Sequence, residues 1–205
     1  MLVVSSLNTT LGSTSTVIIP NPSSVIIGNS INFTASVSFQ DFGLGAGPGG
    51  GAAIPTGVVT FSDGEAGGTF TNLGSCTLSS SGSCTVTYTP SSIPRNVTIT
   101  GSYLGDTIYR PSSGNSILTV LTPTQAMQNL INTVNNMNLK NAETNSLNFK
   151  IQAAITSLNS GNPTATKNHI NAFINEVNAQ TQKNITTSQS ATLVQAAQNI
   201  LNSIT

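Results

Sequence analysis

Residues Ile31 to Phe39 alternate apolar and polar side chains without a fault over nine positions. That period of two belongs to a half-buried β-strand with the odd positions inward. Beyond Thr122 the apolar residues recur every three or four positions instead, which is the period of a helix. No single regular architecture satisfies both periods, so the chain is expected to hold a strand-built part followed by a helix-built part, an α+β multidomain arrangement. Composition changes at the same place. Seventeen of the 18 glycines precede residue 122 and 17 of the 24 asparagines follow it.

In the first part, Asn96–Tyr103 repeats the alternation of Ile31–Phe39, again with odd positions inward. Shorter runs obey it at Val58–Phe61, Thr69–Leu78, Ser83–Thr89 and Ser116–Leu121, with entry strands around Val17–Ile19 and Val25–Ile27. Turn clusters stand at Pro20-Asn21-Pro22, Asp63-Gly64 and Pro90-Ser91. Seven or eight short strands in this length predict a Greek-key β-sandwich. In the second part, Thr122-Pro123-Thr124-Gln125 offers a capping box with proline at the first helical position. Stripes at Met127/Leu130/Val134, Leu147/Ile151/Ala154, Ile170/Phe173/Val177 and Leu193/Ala197/Ile200 mark four helices. Gly161 closes the second, Asn162-Pro163 opens the third and Thr186–Gln189 caps the fourth. Short connections predict an antiparallel four-helix bundle. The expected division is an N-terminal extension at 1–13, a sandwich at 14–121 and a bundle at 122–205.

The phrases Pro20-Asn21-Pro22-Ser23, Pro55-Thr56-Gly57-Val58-Val59-Thr60-Phe61-Ser62-Asp63-Gly64, Val86-Thr87-Tyr88-Thr89-Pro90 and Tyr103-Leu104-Gly105-Asp106 resemble bacterial immunoglobulin-like domains of the Big type over about residues 14–121. The departure from that pattern is the glycine-rich insert Gly43–Ala53. The second part resembles the helical module called FIMAH of prokaryotic cell-surface and secreted proteins. It does so through Leu130-Ile131-Asn132-Thr133-Val134, Ile155–Asn162 and Asn171-Ala172-Phe173-Ile174-Asn175-Glu176-Val177. The resemblance implies an Ig-like sandwich, an extracellular setting and a spacer or adhesive role.

Only 12 of 205 residues are charged, six of each sign, against about a quarter in an ordinary domain. Six scattered cations cannot make the basic stripe that nucleic acid requires. Apolar runs such as Val17–Ile19 fall far short of the 18 residues that suggest a membrane helix, so no transmembrane segment is expected. The start, Met1-Leu2-Val3-Val4, lacks the basic region of a complete signal peptide. A net charge of zero removes the repulsion between copies and favours self-association.

Cys76 and Cys84, the only cysteines, share parity with inward residues. A hairpin pairing them directly would bring them within bridging distance. Such a bond stabilises by about 2.5 kcal/mol and persists in oxidising compartments. Sequons occur at Asn8, Asn32, Asn96 and Asn184, with Asn32 and Asn96 at outward parity where a glycan fits. Asp63, Glu65 and Asp106 read as solvated turns rather than a calcium site, and His169 as a surface residue. No catalytic set, metal site or cofactor is expected. Leu2-Val3-Val4 is the candidate donor strand for a neighbouring copy. The expectation is a non-enzymatic surface protein whose partners are further copies, other surface proteins or glycans. An adhesin or carbohydrate-binding module of a larger secreted protein is the alternative.

Overall fold

The computed structural model describes residues 11–40 and 53–205. The described strands are β1 Thr14–Ile19, β2 Ser23–Ile26, β3 Ile31–Phe39, β4 Val58–Ser62, β5 Thr69–Phe70, β6 Ser75–Thr77, β7 Ser83–Thr89, β8 Asn96–Tyr103 and β9 Ser112–Leu121. They form two sheets, ordered β1-β3-β7-β5 and β2-β9-β8-β4-β6. The alternation works as physics requires. Phe33, Ala35 and Val37 of β3 are buried, and so are Val97, Ile99 and Tyr103 of β8. Around Tyr88 the core is aromatic, with ring centroids 4.6 Å from Phe70 and 6.4 Å from Phe33, separations at which edge and tilted ring pairs attract.

The Pro20-Asn21-Pro22 turn carries the chain from β1 in the first sheet to β2 in the second. Its polar groups are held by β9. The Ser116 hydroxyl donates to the Pro20 carbonyl at 2.6 Å, and Asn21 Oδ1 accepts from the Ile117 N–H at 3.1 Å.

Two expectations need correction. The run Thr69–Leu78 is not one strand. It breaks at Asn72 and Leu73, both left-handed (φ 51° and 54°), and at Gly74 (φ 80°), so β5 stays in the first sheet and β6 joins the second. Cys76 and Cys84 are bonded, Cα–Cα 5.8 Å, but they do not face each other in a hairpin ladder. Cys76 sits opposite Val59 of β4, and Cys84 opposite Ala35 of β3. The bond therefore ties one sheet to the other.

The helices are α1 Pro123–Asn136, α2 Asn141–Asn159, α3 Pro163–Gln180 and α4 Thr187–Ser203. Thr122 and Gln125 form the reciprocal capping box at 2.9 and 3.1 Å, and Thr186 with Gln189 forms another at 2.9 and 3.2 Å. Asn162 Oδ1 caps α3 through the Ala165 N–H at 2.9 Å. Each helix packs on its chain neighbours, and α1 also packs on α4, which closes the bundle. Met127, Leu147, Ile151, Phe173, Leu193 and Ala197 fill its core. Lys150 and Glu176 pair across α2 and α3.

By compactness the chain divides into Met1–Ser23, Ile31–Thr89 and Asn96–Leu118 as one unit, and Ser24–Ser30, Pro90–Arg95 and Thr119–Thr205 as the other. The helical unit thus takes in short segments that precede α1 in the chain, and Ile26 counts in its core.

Candidate functional site

Among the described residues no three His, Cys, Asp or Glu side chains converge, and no helix is long and apolar enough to cross a membrane. Of the carboxylates singled out in the sequence, Asp63 and Asp106 are committed to local hydrogen bonds. Asp63 Oδ2 accepts from the Gly68 N–H and the Tyr88 hydroxyl, each at 2.9 Å. Glu65 is exposed on its turn. What the sandwich offers is surface, at one end and along its edges.

At the end where β4 and β9 begin and β8 finishes, Asp106 ties the β8–β9 loop to the segment that leads into β4. Its Oδ2 accepts from the Thr56 N–H and hydroxyl, each at 3.0 Å. Its Oδ1 accepts from the N–H groups of Ile108 (2.7 Å) and Tyr109 (2.8 Å). Gly12 joins the same loop, donating to Ile108 O and accepting from Arg110 N, each at 2.8 Å. The Tyr109 hydroxyl donates to Ala53 O. Burial raises the Asp106 carboxyl, but the donors from Thr56, Ile108 and Tyr109 outweigh it and hold the group well below the ordinary carboxylate range. The Tyr103 hydroxyl lies buried nearby. Burial first, then the Asp106 carboxylate, pushes it up to about 12.

This rim has a consequence for acid stability. Because the folded Asp106 titrates below its unfolded value of about 4, its contribution is complete above that pH and is lost as the pH falls below it. Asp106→Asn is expected to cost about 2 kcal/mol at neutral pH. Thermal melts across pH should show the wild type losing the Asp106 contribution below about pH 4, with that part of the slope absent in the variant.

The rim so held presents Leu11, Ile54, Leu104 and Ile108, all exposed. Along the flanks the sheet edges differ. The β1 edge is covered by β9. A Cβ on Gly114 would lie 2.2 Å from the Thr16 carbonyl oxygen, and Ser112 Oγ sits 2.7 Å from the hydroxyls of Thr14 and Thr16. On the opposite flank β5 and β6 have two and three residues, the short edges by which sandwiches blunt uncontrolled pairing. Between them stands Leu73, 100% exposed.

The outer face of the first sheet is uncharged. Thr34 and Thr85 share a hydrogen bond at 2.8 Å, and the Thr87 hydroxyl donates to Asn32 Oδ1 at 2.7 Å. Asn32 and Asn96 are exposed. Asn184 is not comparable. Its Oδ1 accepts from Lys140 Nζ at 2.7 Å and its Nδ2, the atom a glycan would take, donates to Gln180 Oε1 at 2.9 Å. Asn8 and the candidate donor Leu2, Val3 and Val4 lie outside the described residues. His169 is half-buried on α3.

The sequence reading missed Leu73 and Phe149. Phe149 is 74% exposed on α2, between exposed Asn145 and Gln152. It falls out of phase with the Leu147/Ile151/Ala154 stripe, a signal the sequence itself carries.

Residues 18–121 match the family model described as the bacterial Ig-like domain (group 3), and residues 124–202 match the FIMAH domain. No curated protein sequence matches the chain. Among solved structures it is similar to the S-layer protein SbsC domains 4 and 5, at 20% identity and TM-score 0.32 over 51% of this chain and 43% of that one. It is similar also to a mutant complex of titin M10 with the obscurin-like 1 Ig domain (17% identity, TM-score 0.31, 55% and 97% covered). A third is BslA, a bacterial hydrophobin (11% identity, TM-score 0.30, 55% and 97% covered). The chain spans less than half of the S-layer fragment.

Proposed function

We propose, because this chain belongs to the family of bacterial Ig-like domains (group 3), that it is an extracellular or cell-surface structural protein whose copies assemble into a filament or coat. The observation that carries the reading is the Cys76–Cys84 bond between the two sheets, a covalent tie suited to an oxidising exterior. A surface with six charges of each sign in 205 residues supports it, since copies meet without repulsion. Both matched domains are of the structural and adhesive kind, and no enzymatic step is proposed. In the assembling reading, Leu2-Val3-Val4 of one copy adds as a strand to the short β5 or β6 edge of the next. Glycans at Asn32 and Asn96 cover exposed surface, and Asn8 is a further acceptor. Asn184 is a poor acceptor because its amide nitrogen donates to Gln180.

Electron microscopy of the purified full chain and of a variant lacking Met1–Thr10, which keeps the Gly12 bonds to the rim, tests this. Polymers of regular repeat from the first and dispersed particles from the second are expected. Polymers from both would remove the donor role, and dispersed particles from both would remove assembly.

Phe149 favours a second reading, a carbohydrate-binding accessory module. A ring flanked by uncharged amides suits the apolar face and hydroxyls of a neutral sugar. If that reading holds, Phe149→Ala abolishes retardation of the chain in gels containing neutral polysaccharide and leaves the melting temperature unchanged. Equal mobility of both proteins with and without polysaccharide would dismiss it.

A further inference from the structure

We infer that the turn Ile26-Ile27-Gly28-Asn29, between β2 and β3, is a clasp that fastens the start of α1 to the end of α4. The helical unit thus has a seat for an apolar–glycine–asparagine turn and depends on its being filled. The family match to the helices begins at residue 124, yet the compact helical unit reaches back to Ser24–Ser30. Val25 and Ile26 are 7% and 8% exposed, although neighbouring strand residues face opposite ways. A strand at the edge of its sheet is therefore covered on both sides, and the cover over Ile26 is the helical core. The turn is then bonded at two points. The Ile27 N–H donates to the Leu121 carbonyl at 2.9 Å, directly before the Thr122 cap of α1. Asn29 Nδ2 donates to the Asn199 carbonyl, near the end of α4, at 2.7 Å.

The form of the turn suits that use. The Asn29 N–H closes it on the Ile26 carbonyl at 3.0 Å, and Gly28 in its third position has φ 90°, as a type II turn requires. A Cβ on Gly28 would lie 3.7 Å from the Ser203 Cα, so the turn rests against the last turn of α4. Carbonyls near a helix C-terminus carry partial negative charge, and the Asn29 amide meets one with a hydrogen. Charge explains why a clasp is needed there. The pair α2 and α3 has the Lys150–Glu176 bridge, but α1, α4 and Ser24–Ser30 contain no charged residue at all, so no ion pair can fasten α1 to α4. At their far end the Gln189 side chain donates to the Met137 carbonyl at 3.0 Å. At the near end the tie is the clasp. Because β3 follows the turn directly in the chain, local opening that frays β3 also withdraws the clasp from the helices.

Thermal melting of the full chain, followed by the helical circular-dichroism signal, tests this together with hydrogen exchange. Asn29→Ala keeps the backbone turn and removes the amide. Its helices are expected to melt about 5 °C lower, with faster exchange in the last turn of α4 and the first turn of α1. Asn29→Asp sets a carboxylate with no hydrogen to offer against the Asn199 carbonyl and is expected to lower the helical melt further. Ile26→Ala, which empties the seat in the helical core, is expected to lower it by about 10 °C or more. Helices that melt and exchange as in the wild type, in both Asn29→Ala and Ile26→Ala, overturn the clasp. A loss of protection confined to β2, β3 and β9, with α1 and α4 unchanged, gives the turn a role in the sandwich alone and also overturns it.

Discussion

Gly114→Ala is expected to lower the stability of the sandwich by about 3 kcal/mol and to make it aggregate. The added methyl would stand 2.2 Å from the Thr16 carbonyl oxygen and 3.5 Å from the Val17 Cα. Both atoms are backbone, so no side-chain rotation relieves the clash and β9 must move off β1. That movement has two effects. It breaks the Thr14, Thr16 and Ser112 hydroxyl cluster, and it uncovers a six-residue edge strand whose Val17 and Ile19 already face solvent. Uncovered, such an edge templates pairing with other chains. Chemical denaturation together with light scattering reads both effects. A variant as stable and as dispersed as the wild type would mean that β9 does not seal that edge.

The second large effect belongs to the disulfide. Cys76→Ala with Cys84→Ala is expected to cost about 2.5 kcal/mol. The small loop between the cysteines, eight residues apart, limits the entropic part. The position of the bond adds to its weight. β6 and β7 lie in different sheets, and β6 holds its own sheet through only three paired positions of β4. Without the bond, β6 is the strand expected to leave first, taking the Leu73 turn with it. Reductant should reproduce the loss in the wild type and change nothing in the double variant. Hydrogen exchange should place the new mobility at Ser75–Thr77 rather than in β3 or β8.

The strands were legible where alternation is uninterrupted and one face is dry, as at Ile31–Phe39 and Asn96–Tyr103, because a one-residue slip there would expose every core side chain. The helix starts were legible because Thr122–Gln125 and Thr186–Gln189 satisfy their N–H groups from within four residues. What failed was long-range or hidden by parity. The run from Phe70 to Leu78 keeps its period of two straight through Asn72-Leu73-Gly74, yet three left-handed residues turn the chain into the other sheet. The same parity that turns Cys76 and Leu78 inward sends Leu73 outward, and an outward leucine was the signal to follow. The phrase Tyr103-Leu104-Gly105-Asp106 marked the rim, but the partner Thr56 stands 50 residues earlier. Nothing local announces that bond. For the cysteines, parity indicated that both face inward, and only the sheet assignment shows that they bridge two layers instead of one hairpin.

The central claim is that this chain works outside the cell, as a structural piece with its two sheets covalently joined. Mass spectrometry of endogenous material, fractionated before any reductant is added, addresses it most directly. The account predicts the chain in the surface or extracellular fraction with Cys76 and Cys84 linked to each other. Two free thiols on a chain recovered from the intracellular fraction would contradict it.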